Sequence, residues 1–154
     1  MHVMKMRKRS QYLLVGISIF ILSYLGCSPI IAQQRKGMEA IEIDAAYMKA
    51  NIYDWEKNPT KFVYKGEKPC VIDFYADWCG PCRALAPKLA EVAGNYVGKI
   101  VVYKVNIDKE KELAKLFKVQ SIPMLLFVPM KETPYVSMGN VPKEYIKDAI
   151  DKIL

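Results

Sequence analysis

The sequence predicts an α/β domain built on a single mixed β-sheet with helices on both faces, preceded by an export leader. Residues 71–76 form a nearly continuous apolar run, which suits a strand buried on both faces of a sheet. A segment with helical periodicity separates this run from a second apolar run at 100–105. Two strands joined through a helix indicate a parallel crossover. The chain closes with two short apolar runs around a turn and a last helix, which indicates an antiparallel hairpin.

Residues 1–32 have the organisation of a leader. Four lysines and arginines lie between positions 5 and 9, and no acidic residue precedes Glu39. The uncharged run at 12–25 is shorter than the roughly 18 residues that a membrane-spanning helix needs, so it suits a signal sequence. The positive end stays in the cytoplasm, and the remainder is expected to cross the membrane. The predicted location is therefore periplasmic or otherwise extracytoplasmic.

Three fates of this leader remain open. Cys27 follows Leu25 and Gly26 and resembles the acylated cysteine of a bacterial lipoprotein, which would tether the chain to the membrane by lipid. Cleavage after Ala32 would release it, and no cleavage would leave an N-terminal anchor. In each case we expect a leader at 1–32, a polar tether at 33–37 and one domain at 38–154.

Composition excludes several function classes. The formal net charge is +7, but much of it belongs to the leader, and the remainder carries no arginine-rich stripe, so we expect no nucleic-acid partner. The one histidine is His2. Since the domain then lacks imidazole, catalysis by Ser-His or Cys-His pairs and His-rich metal sites are excluded there.

The elements of the domain follow from local patterns. Apolar residues recur every three or four positions within 38–55, which predicts helix in part of that segment. Alternating aromatic residues suggest a short strand at 62–64 before a turn. After the buried strand, the predictions are a helix at 81–95 that Pro87 interrupts, a strand at 100–105, a helix at 110–117, strands at 124–128 and 135–138, and a helix at 141–153.

The CGPC segment at residues 79–82 stands where the buried strand gives way to a helix. A thiol at a helix N-terminus meets unpaired N–H groups and the positive end of the helix dipole, so we expect a lowered pKa for Cys79. Cys82 lies about one turn further, shielded but within disulfide reach. Attack by Cys79 on a partner's disulfide would give a mixed disulfide that Cys82 then resolves.

Two structural explanations compete with this one. A zinc site needs about four nitrogen or sulfur ligands, and beyond the pair the chain offers only Cys70 and Cys27. A purely structural disulfide is the other alternative. We expect no metal and no cofactor besides the cysteine pair. Cys70 itself is either a buried inert thiol or a site of regulatory oxidation.

Several motifs together resemble the thioredoxin family. VIDFYADWCGPC at 71–82 is similar to the family's active-site strand and loop, and KVNID at 104–108, VQSIP at 119–123 and Gly139 follow in the family's order. The resemblance covers 68–154, whereas 38–69 aligns only loosely. It implies the thioredoxin fold and the activity of a protein-disulfide reductase.

The resemblance also implies roles for two charged residues. Asp73 is an acid within an apolar strand, so burial should raise its pKa. By resemblance it exchanges protons with Cys82 through water; a paired, buried Asp without catalytic use is the alternative. Lys104 resembles the family lysine that lies near this acid and tunes it, although a solvated lysine at a strand end fits as well.

The implied substrate groove surrounds the cysteines. Pro123 matches the family's cis-proline, which faces the cysteines and presents main-chain groups to an extended peptide. Gly139 fits a close approach of that peptide or simply a turn. By resemblance the groove comprises Trp78, Gly80, Pro81, Ile122, Pro123 and Gly139.

The dipeptide between the cysteines indicates the direction of the reaction. Gly-Pro resembles the reducing members of the family and differs from the His-containing dipeptides of strong exported oxidants. We therefore expect a reductase of disulfides in exported proteins, recharged by a membrane thiol-reductant conduit, because thioredoxin reductase is cytoplasmic. The alternatives are an exported disulfide oxidase or isomerase, and a tethered peptide-binding module with incidental redox activity.

Overall fold

The computed structural model describes residues 37–154. The predicted leader, most of the predicted tether and Cys27 lie outside the described residues, so their predicted boundaries and fates stay predictions. Within residues 37–154, no helix is both long and apolar enough to cross a membrane.

In the described part of the chain, five strands form one sheet. They are β1 (Ile41–Glu42), β2 (Cys70–Tyr75), β3 (Val101–Asn106), β4 (Met124–Val128) and β5 (Tyr135–Met138). Their order across the sheet is β1-β3-β2-β4-β5. The β1–β3 and β2–β3 pairs are parallel, whereas β4 runs antiparallel to both β2 and β5. This confirms the predicted mixed sheet with a parallel crossover and a final hairpin.

Within residues 37–154, four α-helices cover the two faces of the sheet. They are α1 (Ala45–Asn51), α2 (Gly80–Ala93), α3 (Lys111–Leu116) and α4 (Lys143–Ile153). One core cluster joins α2 and α4 to Val71, Val102 and Leu125 of the sheet. A second cluster joins α1 and α3 to the opposite face, through Ile72 and Phe74. Burial of both faces explains why β2 reads as a continuous apolar run.

The first helix occupies part of 38–55, as the pattern predicts, and the segment also contains β1. Ile41 lies in β1, which pairs with β3, and helix begins only after Asp44, whose Oδ1 accepts the Tyr47 N–H at 2.7 Å. An aspartate side chain that bonds the first free N–H groups favours a helix start at that point. Ile41 therefore belongs to a strand, although its spacing from Ala45 and Met48 also fits a helix.

The predicted strand at 62–64 is wrong. These residues have no regular secondary structure. Phe62 instead stacks on Tyr53 with ring centroids 4.4 Å apart and packs near Phe117 at 6.3 Å. Alternating aromatics here bury rings against the α1–α3 face without a neighbouring strand to pair with. The other predicted boundaries differ from the structure by at most two residues.

Candidate active site

The cysteine pair lies at the start of α2, directly after the carboxyl end of β2. Cys79 is the N-cap residue of α2, in extended conformation, and is joined to Cys82 by a disulfide with a Cα–Cα distance of 5.3 Å. The backbone N–H of Cys82 donates to Cys79 Sγ at 3.2 Å. When the bond is reduced, the same N–H and the positive end of the helix favour a thiolate at Cys79.

The surroundings of the disulfide are apolar. Cys79 and Cys82 are each 3% exposed and cluster with Ala76, while Ile122 and Ile107 pack against them. Gly80 and Pro81 form the first turn of α2. Proline is favoured in a first turn because its missing N–H would have no partner there. The turn is therefore rigid at the point where a partner's sulfur must approach.

Asp73 lies within β2 and is 6% exposed. Its Oδ1 has no hydrogen-bond partner among the residues that the structure describes. Burial raises the pKa of Asp73 to about 7, and the charge of Lys104 opposes this in part. A carboxyl group with that pKa can both accept and return a proton near neutral pH, which suits acid–base work. Its partner in such work stays a prediction.

Lys104 lies beside Asp73 in the sheet, but its side chain turns toward β1. The two residues are register neighbours on β3 and β2. The ammonium of Lys104 lies 3.5 Å from Glu42 Oε2 and 5.6 Å from the centre of the Tyr75 ring. Lys104 thus acts on Asp73 through its charge while it pairs with Glu42.

Pro123 and Gly139 come together across the β4–β5 hairpin. The Ile122–Pro123 peptide bond is cis, a feature that sequence alone does not reveal. The Gly139 N–H donates to the Pro123 carbonyl at 2.8 Å, and Gly139 has a φ of +84°. Such a backbone conformation favours glycine. A turn at Gly139 is therefore present; contact with a peptide stays a prediction.

Trp78 is the exposed part of the site, with 67% of its surface accessible. Its indole Nε1 donates to Asp108 Oδ2 at 2.8 Å. The Asp108 N–H donates to Asn106 Oδ1 at 3.0 Å, and Asn106 Nδ2 donates to Asp77 Oδ2 at 3.2 Å. Sequence reasoning gave no role to these three polar residues, although the KVNID motif contains two of them.

Cys70 is fully buried and forms no disulfide within residues 37–154. Burial, the largest influence, raises the pKa of its thiol to about 12. A protonated thiol without solvent access reacts slowly, which favours the inert alternative. Among residues 37–154, no group of three or more His, Cys, Asp or Glu side chains is placed to hold a metal ion.

A mixed sheet that delivers a cysteine pair to a helix N-terminus, with a buried acid on the strand that precedes the pair, defines a thiol–disulfide oxidoreductase. The thioredoxin family model matches residues 40–152. The chain belongs to the thioredoxin family, whose members reduce protein disulfides with their own cysteine pair and need no cofactor.

Individual relatives agree with this assignment. The chain is 35% identical over 111 residues to a thioredoxin of Borreliella burgdorferi, covering 72% of this chain and 94% of that one. It is 43% identical over 94 residues to the chloroplastic M-type thioredoxin of Spinacia oleracea, covering 61% and 52%. The crystal structure of chloroplastic thioredoxin z matches with a TM-score of 0.62 at 23% identity, covering 75% of this chain and 95% of that one. The last match supports the fold.

Proposed function

We propose that this chain is an exported thioredoxin that reduces disulfides in exported proteins. The observation that carries the chemistry is the Cys79–Cys82 pair at the N-terminus of α2, with a buried acid, Asp73, on the preceding strand β2. The observation that supports export is the basic and then apolar leader. Disulfides persist mainly in oxidising compartments outside the cytoplasm, where such a reductase finds its substrates.

The reaction begins with the reduced pair. The Cys79 thiolate attacks one sulfur of a partner's disulfide; that S–S bond breaks, and the partner's other sulfur leaves as a thiolate and takes up a proton. A mixed disulfide now joins Cys79 to the partner. Cys82 loses its proton and attacks Cys79 Sγ, which releases the partner's second thiolate. Two electrons have passed to the partner, and the Cys79–Cys82 disulfide of the structure remains.

Asp73 supplies the proton acceptor in the second half of this scheme. Its carboxylate takes the proton of Cys82, directly or through water, and returns it when the pair is next reduced. The raised pKa of about 7 supports this role, because an ordinary surface aspartate holds a proton too weakly to act near neutral pH.

Turnover needs a source of electrons. A dithiol partner must reverse the two exchange steps, and outside the cytoplasm the class of protein that can do so is a membrane thiol-reductant conduit. Trp78 is exposed and precedes Cys79 in the chain, and Ile122, which precedes Pro123, packs against the cysteine pair. We expect the surface at these residues to serve both partners in turn.

Trapping tests the chemistry. Cys82→Ser should leave Cys79 able to attack but unable to be released, so mixed disulfides with partner proteins should accumulate. Cys79→Ser should abolish disulfide reduction. Cys70→Ser is the matched control and should retain activity, because Cys70 lies buried away from the pair. Full biological activity of Cys79→Ser would instead favour the tethered peptide-binding module.

Export and anchoring need a separate test. We expect the full chain fused to alkaline phosphatase to show phosphatase activity, which requires disulfide formation outside the cytoplasm. Mass spectrometry of the membrane fraction should find lipid on Cys27 if the leader is that of a lipoprotein. An inactive fusion would remove the exported location, and an unmodified Cys27 would remove only the lipid anchor.

A further inference from the structure

Three ionisable side chains form a row across one face of the sheet. Glu42 of β1 is the register partner of Lys104 on β3, and Lys104 is the register partner of Asp73 on β2. Directly paired residues on adjacent strands project to the same face. The row continues on β4 with Leu125, which is apolar. Lys104 therefore stands between two carboxyl groups.

Glu42 binds several groups at the β1 end of this row. Its Oε1 accepts from Lys109 Nζ at 3.0 Å, while Oε2 lies 3.5 Å from Lys104 Nζ and accepts the Tyr75 hydroxyl at 3.3 Å. The hydrogen bond from Lys109, with the positive charges of Lys109 and Lys104, lowers the pKa of Glu42. The lowered pKa keeps Glu42 ionised at neutral pH.

The other end of the row is unpaired. Asp73 Oδ1 has no hydrogen-bond partner among the described residues, while the ion pair of Lys104 is with Glu42. The charge that reaches Asp73 from β3 is that of Lys104, and Leu125 faces it from β4. Were Lys104 bound to Asp73, an opposite charge in contact would favour the ionised carboxylate.

We propose that Glu42 is a positioning residue for the acid–base step: it holds the Lys104 ammonium toward β1 and so keeps Asp73 available as a carrier of protons. The inference rests on the proposed role of Asp73 in the reductase reaction. One cation, Lys104, lies between two carboxyl groups. Glu42 is exposed and ionised, whereas Asp73 is buried and easily protonated.

The direction of the effect follows from electrostatics. Glu42→Gln removes a negative charge from the row and frees Lys104 to approach Asp73. Both changes favour the ionised form of Asp73, so its pKa should fall. Lys104→Gln removes the cation and should raise it. If Glu42 acts mainly through Lys104, Glu42→Gln should have a much smaller effect once Lys104 is already Gln, because only the direct effect of the lost charge remains.

The test is a titration of the Asp73 carboxyl by NMR in the full-length, oxidised protein. In that form Cys79 and Cys82 carry no protons, so the titration belongs to the carboxyl group. We expect Glu42→Gln to lower the midpoint by roughly 0.5 pH or more, and by much less in the Lys104→Gln background. The control is Glu91→Gln, which also breaks an exposed ion pair, the one between Glu91 and Lys143. Glu91 lies about 18 Å along α2 from Cys79.

An unchanged midpoint in Glu42→Gln overturns the inference, and so does an equal change with and without Lys104. The pH profile of disulfide reduction, measured in the same variants, separates this from the proposed function. If the enzyme is active and Glu42→Gln leaves the Asp73 midpoint unchanged, only the inference fails. If Glu42→Gln shifts the Asp73 midpoint but the protein has no reductase activity, the positioning by Glu42 stands and the proposed function fails.

Discussion

Asp73 occupies a site where a carboxyl group is costly, since the other residues of β2 are apolar, aromatic or thiol-bearing. Asp54 is equally buried, yet its Oδ1 accepts the Lys57 N–H at 3.2 Å. A buried polar atom without such a partner destabilises the fold, and an ionised one does so more. The position of Asp73 therefore favours proton transfer at the expense of stability.

Asp73→Asn should stabilise the protein above neutral pH. The folded-state pKa of about 7 lies above the ordinary value of 3.8, so the folded protein binds the proton more tightly. Stability from this group is then fullest below pH 4 and is lost as the pH rises through 7. At pH 8 we expect a gain of about 1–4 kcal/mol in the free energy of unfolding, measured with urea. The same pH dependence in both proteins would contradict this.

Gly98→Ala is a matched control for Gly139→Ala. Both glycines have positive φ, +84° and +81°, and a Cβ at either meets nothing within 4 Å. Each substitution should cost about 1 kcal/mol of stability through backbone strain. Only Gly139→Ala, beside Pro123, should also raise KM for a peptide disulfide. Equal KM values in the two variants would remove Gly139 from the groove.

At the scale of elements, the parallel pairing of β2 and β3 brings two loops together. Both strands end at the same edge of the sheet, so the segment with Trp78 and the segment with Asp108 meet there. The hydrogen bond between them holds an indole that is otherwise exposed to solvent. Trp78, next to Cys79 in the chain, is thus held by a residue from the loop that follows the neighbouring strand.

Asp108→Ala should loosen the Trp78 ring. We expect lower fluorescence anisotropy and a rise of a few-fold in KM for a protein disulfide, because a ring that must be ordered on binding costs affinity. Asp108→Asn keeps an oxygen that accepts from Nε1 and should behave like the unchanged protein. A normal anisotropy in Asp108→Ala would show that packing, not the hydrogen bond, orders the ring.

For the whole molecule, local sequence patterns predicted those helices and strands whose own residues show a clear hydrophobic pattern. The apolar run of β2 and the stripe on α4, with Ile146, Ala149, Ile150 and Ile153 buried, are examples. In the site, the cysteine pair and its placement at a helix start also followed from spacing and composition. The acid in β2 stood out because its neighbours in sequence are apolar.

The features that escaped prediction depend on contacts between distant segments. β1 has two residues and exists through its pairing with β3, which the local pattern of 38–55 does not encode. Lys104 pairs with Glu42, which is 62 positions away in the chain, and Trp78 bonds to Asp108, which is 30 positions away. The cis peptide at Pro123 has no local signal in the sequence either; the family resemblance alone implied it, and the structure contains it.

The reduction potential of the Cys79–Cys82 pair tests the central claim most directly. The full-length protein would be equilibrated with mixtures of reduced and oxidised dithiothreitol or glutathione, and the free thiols counted by alkylation and mass. A reductase should give a value close to that of thioredoxin, about −270 mV. A value near −120 to −180 mV, typical of disulfide oxidases and isomerases, would contradict the proposed reducing function.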